Sequence, residues 1–282
     1  MPVMTKRLFA SLDVYREAGA HSAATNMAID EALLGSVKFP SIRFYHWHSP
    51  ALSFGYFGKF ADVADYAIER DLVRRWTGGG IVFHGDDLTY SIIIPARDAM
   101  FAESSAFIYA AIHSALRDAL NIDCQRAELA PAAEAVVTDF KNSSRADSGY
   151  TPSSCSHAPV ARPTAQWPAC YDGAQGRGYS RHLCFVNPVS ADVMIDSRKI
   201  AGAAQRRTRA GLLHQGSIQL ATGQVRVAAA TGHVDLGNGL TERFASELSN
   251  VRGEKLLDKS LLERAEKIAE RKYGSNHWLK LR

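Results

Sequence analysis

The chain has 282 residues, is 46% hydrophobic, and carries 33 basic against 29 acidic residues, a net charge of +4. That is enough apolar material for one large domain or two small ones, and the mild positive excess gives no reason to expect a nucleic-acid binder. No run of about 18 apolar residues predicts a membrane-spanning helix, the N-terminus lacks the apolar stretch of a secretory signal, and the four cysteines (Cys124, Cys155, Cys170, Cys184) fall in neither CxxC nor zinc spacing. A soluble, cytoplasmic protein with free thiols and no metal is expected.

In chain order, residues 22–34 predict a helix with Met27, Leu33 and Leu34 on one broad apolar face. Residues 42–47 and 51–56 predict two strands separated by Ser49-Pro50, and 63–70 a further helix. Residues 81–84 and 88–95 read as the two strands of a β-hairpin, with Gly85-Asp86-Asp87 as its solvated turn. Residues 107–120 predict an amphipathic helix. From about 142 to 181 periodicity is lost and Ser, Pro, Ala, Arg and Gly dominate. A structureless stretch of roughly 40 residues is unusual inside a compact domain, so this segment reads as a flexible insertion in a single domain spanning 1–282. Cys155 and Cys170 fall within it and read as incidental. Beyond it come a strand at 191–195, a turn at Asp196-Ser197-Arg198, a strand at 212–220 and a helical stretch from 240 to 273 broken at Gly253.

Several segments could carry chemistry. Arg74-Arg75-Trp76-Thr77-Gly78-Gly79-Gly80 drives two fixed positive charges into three glycines. Glycine repeats cost backbone entropy and are tolerated where the backbone must approach something closely. Beside two arginines, that something is an anionic or carbonyl-rich small molecule; a glycine-rich hairpin turn with solvent-facing arginines explains the segment equally well. Lys199 follows a tight turn and precedes Gly202-Ala203-Ala204. A lysine beside exposed backbone amides can grip a carbonyl or phosphate oxygen, although polar residues are also common at ordinary turns. Cys184, next to Phe185, reads either as a small buried hydrophobe or as a nucleophile. In the second case Lys199, His84 or His182 would supply the electropositive surroundings a thiolate needs. His84 and His214 lie in predicted strands, where a lone histidine is usually structural.

Together these segments resemble the lipoate-protein ligase A and octanoyltransferase family, which shares its catalytic fold with biotin protein ligases. Five ordered segments carry the resemblance: Asn26-Met27-Ala28-Ile29-Asp30-Glu31, Ser53-Phe54-Gly55-Tyr56, the stretch from Arg74 to His84, Lys199-Ile200-Ala201-Gly202-Ala203-Ala204-Gln205, and Leu213-His214-Gln215-Gly216-Ser217-Ile218. The tail Lys272-Tyr273-Gly274-Ser275-Asn276-His277-Trp278 is similar to the family's end. The resemblance implies an α/β fold, with a mixed, largely antiparallel sheet flanked by helices. It implies a pocket for an octanoyl or lipoyl chain, lined by Arg74, Arg75, Gly78, Gly79, Gly80 and His84 on one side and by Gly202, Ala203 and Ala204 on the other. Lys199 would contact the acyl carbonyl.

Two reactions divide the family. Octanoyltransferases take the acyl group from acyl carrier protein, one branch through a cysteine thioester, and need no cofactor. Ligases activate lipoate with ATP and Mg2+. Both modify a lysine of a lipoyl domain or glycine-cleavage H protein. His84-Gly85-Asp86-Asp87 and Cys184-Phe185 followed by Pro188 are similar to the cysteine-dependent octanoyltransferases, which makes Cys184 the implied nucleophile. Gly78-Gly79-Gly80 is the ligase form, and the order His214-Gln215 also departs from the octanoyltransferase pattern, so the ligase alternative stays open. The +4 charge suits an acidic carrier.

Overall fold

In the computed structural model, residues 7–17, 19–85, 87–121, 127–131, 183–219 and 239–281 are described. Strand β1 (Leu12–Arg16) leads into helix α1 (Ala23–Leu34), whose first turn is capped by the Ser22 hydroxyl accepting the Thr25 N–H. Strands β2 (Ser41–Tyr45), β3 (Ala51–Phe54), β4 (Asp71–Arg74), β5 (Val82–His84) and β6 (Asp87–Pro95) follow. Helix α2 (Ser105–Asn121) and strand β7 (Ala127–Leu129) precede β8 (Val193–Ile195), β9 (Arg198–Arg207) and β10 (Gly211–Gln219). The rest comprises α3 (Leu240–Leu248), β11 (Arg252–Lys255), α4 (Lys259–Ile268), a π-helical turn at Ala269–Tyr273 and α5 (Asn276–Leu279).

The strands form two sheets. The larger has the order β11-β1-β2-β6-β10-β9-β8-β7 and is antiparallel except where β1 runs parallel to β2 and β11. The smaller has the order β4-β3-β5. Side chains alternate across the large sheet. Tyr90, Ile92, Leu212 and Ile218 pack with α2 and α3 on one face, while Ile93 and Leu213 pack with α1 and α4 on the other. This is the mixed, largely antiparallel sheet flanked by helices that the resemblance implies. Among the described residues no helix is long and apolar enough to cross a membrane.

Three expectations are corrected. Residues 81–95 are not a hairpin: β5 pairs with β3 in the small sheet, while β6 joins the large sheet between β2 and β10. All nine residues of β6 are buried, so it belongs in a sheet centre, and Gly85 at φ +153° lets the chain cross between sheets. Residues 63–70 form only a 3-10 turn at Ala64–Ile68, because no residue of that turn is buried and no apolar stripe exists to support an α-helix. The stretch 240–273 is interrupted by a strand, since β1 offers an open edge that β11 fills, with Leu12 opposite Arg252. The turn at Asp196-Ser197 forms as expected: both residues have positive φ, 49° and 61°, as a two-residue hairpin requires. The insertion at 142–181 lies outside the described residues, as do Cys124, Cys155, Cys170 and His182.

Helix α1 lies against both sheets, which explains why nine of its twelve residues are buried. Two of the nine are polar. Asp30 accepts from Arg43 at 2.8 Å, Ser91 at 2.8 Å and Gln215 at 2.7 Å, and Asn26 accepts from Arg43 at 2.7 Å. Burial opposes the charge of Arg43, but Glu17 and Asp30 outweigh it and hold the guanidinium above its usual range. Arg74 is the second buried arginine of this region. Its guanidinium donates to the carbonyls of Tyr56, Gly58, Trp278 and Leu279 at 2.6–3.3 Å, and the Trp278 indole donates back to Arg74 O at 2.9 Å. The C-terminal helix is thereby stapled to the end of β4. Arg74→Met should lower stability by about 3 kcal/mol, because it leaves buried carbonyls without donors. Arg74→Lys should recover only part of this, since an ammonium cannot span the same fork. Urea denaturation of the two variants checks both values.

Candidate active site

A cleft opens between the two sheets. One wall is the large sheet: Gly202 to Ala204 on β9, Gln215 to Ser217 on β10, Thr89 on β6 and Tyr45 on β2. The other is the small sheet, with Ser53, Val82 and His84, together with Arg75 and Gly79 of the glycine loop; Met27 of α1 and Trp47 close it further, and Cys184 also lines it. The walls carry small residues where backbones must approach. A Cβ on Gly55 would stand 2.1 Å from Gly79 O, so only glycine allows the loop to fold onto β3.

Cys184 is half-buried, with its N–H bonded to Ile81 O at 3.0 Å. The segment carrying it is therefore docked directly after the glycines. Lys199 reaches it from β9: its Nζ lies 3.5 Å from Cys184 Sγ, 2.9 Å from Cys184 O and 2.7 Å from Asp192 Oδ2. The lysine stem lies over Gly202, where a Cβ would stand 2.4 Å from Lys199 Cε. A buried amine paired with a carboxylate and touching a thiol can steer the sulfur, or an oxygen formed beside it, as a compact donor.

The neighbouring arginines face opposite ways, as successive strand residues do. Arg75 points into the cleft and donates to Ser53 Oγ at 2.6 Å, Gly78 O at 3.0 Å and Gly80 O at 2.8 Å. Burial pushes its guanidinium below the usual range, while the nearby Cys184 acts in the other direction. Ser53 in turn bonds His84 Nε2 at 2.7 Å, and His84 Nδ1 lies 2.7 Å from Asp87 Oδ2. Asp87 also accepts from Thr89 at 2.9 Å and Ser217 at 2.7 Å. Burial raises the Asp87 carboxyl, but His84 and these donors outweigh it and hold it low. As a carboxylate, Asp87 takes the Nδ1–H of His84, and the Ser53 hydroxyl meets the other ring nitrogen. Trp47 stacks on the His84 ring at 4.0 Å. Asp87 is thus a buried anchor of the cleft and not a solvated turn residue.

The structure brings Cys184, Lys199, Arg75, Gly79, His84, Gly202, Ala203 and Ala204 to one place. Arg74 is the exception: its guanidinium is taken up by the C-terminal carbonyls, away from the cleft, because the strand turns alternate side chains to opposite faces. Gly78 meets the cleft only through its carbonyl on Arg75, and Gly80 lines a second hollow with Gly55, Gly58, Lys59 and Gly79. Asp192 and Tyr109 escaped the sequence reading. Asp192 was visible seven residues before Lys199 across the hairpin, whereas Tyr109, on a helix far away in sequence, carried no signal.

The mixed α/β domain thus holds a thiol and a lysine in contact beside a cleft between its two sheets. Residues 22–234 match the Lipoyl protein ligase A/B catalytic domain, and the chain belongs to that family. It is 32% identical over 207 residues to octanoyltransferase LipM of Oceanobacillus iheyensis, covering 70% of this chain and 60% of that protein. It is 31% identical over 213 residues to the LipM octanoyltransferase of Clostridioides difficile, covering 71% and 63%. The chain thus spans less than two thirds of the length of these relatives. Among solved structures, a lipoate-protein ligase A bound with ATP is similar at TM-score 0.61 and 17% identity, covering 96% of this chain and 98% of that one. A putative lipoate protein ligase from T. acidophilum with bound lipoic acid is similar at TM-score 0.59 and 20% identity, covering 96% and 99%. These two likenesses concern the fold.

Behind Lys199 and Asp192, His113 and His214 are buried beside each other, ring centroids 5.6 Å apart. Burial lowers the His113 pKa from 6.5 to about 4, and burial together with His113 holds His214 well below its ordinary value. The unfolded chain binds a proton at His113 as pH falls through 6.5, whereas the folded chain does so only near 4. Stability is therefore lost on acidification across that window, by about 3 kcal/mol for His113 at about 1.4 kcal/mol per pH unit. Urea denaturation between pH 7 and pH 4.5 should show this slope, and His113→Gln should make it shallower while the contribution of His214 remains.

Proposed function

We propose that this chain is an acyltransferase that moves an octanoyl or lipoyl group from acyl carrier protein to a lysine of a lipoyl domain or glycine-cleavage H protein, through a thioester on Cys184. The observation that carries this reading is the contact of Cys184 Sγ with Lys199 Nζ, 3.5 Å apart, beside a cleft narrow enough for an acyl chain. In the first step the Cys184 sulfur bonds to the acyl carbon as the carrier's carbon–sulfur bond breaks, and the Cys184 proton ends on the carrier's sulfur, which leaves as a thiol. In the second, the acceptor amine bonds to the same carbon, the Cys184 carbon–sulfur bond breaks, and the amine proton ends on the sulfur. Exchange of one thioester for another is near-balanced, so the protein's contribution is placement and polarisation of the carbonyl. Lys199 and the amides near Gly79 and Gly202 take that role, while Arg75 and His84 shape the cleft; no cofactor is required. The octanoyltransferase relatives support the reading. We place the enzyme in the cytoplasm, where its thiol stays reduced, as a single domain in which residues 142–181 are an insertion.

One observation favours a second reading. The glycine loop separates the acyl cleft from the cavity lined by Gly79, Gly80 and Lys59. An ATP-dependent ligase, using ATP and Mg2+ through an acyl-adenylate, would use such a neighbouring space, and Cys184 would then be structural.

Incubation with octanoyl-acyl carrier protein, followed by intact mass measurement under non-reducing conditions, separates the two. The expected result is one added octanoyl group, absent in Cys184→Ser. Lipoylation that requires ATP and survives Cys184→Ser would establish the ligase reading instead.

A further inference from the structure

We propose that Asp192 and Tyr109 are positioning residues that hold Lys199 against the Cys184 sulfur. The inference rests on the acyl-transfer reading and extends it to residues outside the cleft wall. Lys199 ends in a small head on a flexible four-carbon stem that runs closely over the bare backbone of Gly202, so its aim is set by the polar groups around Nζ. Cys184 offers Nζ a carbonyl and a sulfur on one side. The Asp192 carboxylate, 2.7 Å away, restrains it with an ionic contact.

Asp192 is itself fully enclosed and both of its oxygens are used. Oδ2 takes the Val189 N–H at 2.6 Å as well as Lys199, so the loop that follows Cys184 and the lysine share one anchor. Oδ1 takes the Tyr109 hydroxyl, and the same hydroxyl oxygen accepts the Ala203 N–H at 3.1 Å. Ala203 lines the cleft. Tyr109 therefore fixes the carboxylate and the β9 wall with one atom, from a helix rooted in the core by Ile108 and Ile112. Burial and the Asp192 charge both push the Tyr109 phenol above its ordinary range, so it stays a donor throughout the reaction. Without its hydroxyl the carboxylate can turn about its own axis and Lys199 loses its aim.

The test is a double-mutant cycle with two readouts: alkylation of Cys184 by iodoacetamide, which needs no acyl donor, and octanoyl transfer to Cys184 from octanoyl-acyl carrier protein. Tyr109→Phe should slow both by about tenfold with an unchanged half-saturating donor concentration, as a misplaced group does. Added to Lys199→Gln it should cost nothing further, because it acts through the lysine. Asp192→Asn should behave like Lys199→Gln and replaces it in the cycle if that variant does not fold. Multiplying effects, or a Tyr109→Phe protein as fast as wild type, would overturn the proposal. A wild-type protein that shows the expected cycle in alkylation but takes no octanoyl group keeps the positioning role and removes the acyl-transfer reading. Acylation of wild type with additive variants does the reverse.

Discussion

The cleft depends on the Asp30 carboxylate, buried in the middle of a helix pressed between two sheets. It draws a donor from each of three strands: Arg43 of β2, Ser91 of β6 and Gln215 of β10. Gln215 passes the connection on by accepting from Thr77 at 2.8 Å, and Thr77 stands at the entrance to the glycine loop. Burial raises the Asp30 carboxyl against the pull of Arg43, which shows how strongly the surroundings are desolvated. Such a node is a poor source of stability but a good source of register, because removing one member strands the others. The helix is thus tied to three neighbouring strands of the large sheet, and through Gln215 and Thr77 to the glycine loop, by a polar cluster and not by apolar packing alone.

Around that cluster the structure separates two tasks that the sequence presents as one. Arg74 and Arg75 are adjacent and identical in chemistry, yet one is consumed by the C-terminal carbonyls and the other lines the cleft. Pleating makes this division unavoidable, since successive residues leave a strand on opposite faces. The same geometry pairs Gly202 with Ser217 and Ala204 with Gln215 across β9 and β10, so that a glycine and an alanine lie opposite two polar residues. The cleft is therefore floored with backbone on the β9 side and with hydrogen-bonding groups on the β10 side.

Much of the architecture could be read from residues alone. Apolar runs located the strands, Asp196-Ser197 located the turn that delivers Lys199, and the glycine cluster located a close approach. What the sequence could not convey was partnership between sheets. The run from Ile81 to Pro95 has hairpin spacing, and only the complete burial of β6 reveals that its two halves belong to different sheets. Asp86-Asp87 has the composition of a solvated turn, but Asp87 gains its role from His84, Thr89 and Ser217, the last of which is 130 residues away. Tyr109 sits on a regular amphipathic helix, where a tyrosine reads as core. β11 is short and polar, and exists because an edge was waiting for it. In each case local pattern was right about the residue's neighbours in sequence and silent about its neighbours in space.

The staple between Arg74 and the last helix has a consequence for how the molecule is made. Its two halves are separated by 204 and 205 residues. On a ribosome, strand β4, the glycines and the Tyr56 and Gly58 carbonyls emerge early, whereas the other two carbonyls that receive Arg74, those of Trp278 and Leu279, emerge about 200 residues later. Until then the guanidinium has only the Tyr56 and Gly58 carbonyls as partners and the loop beside it lacks its final brace. A nascent chain can thus form its sheets and thread Cys184 toward Ile81 while the cleft is still soft. The wall beside the glycines gains this brace only after Trp278 and Leu279 have emerged, about 200 residues behind the strand that carries Arg74.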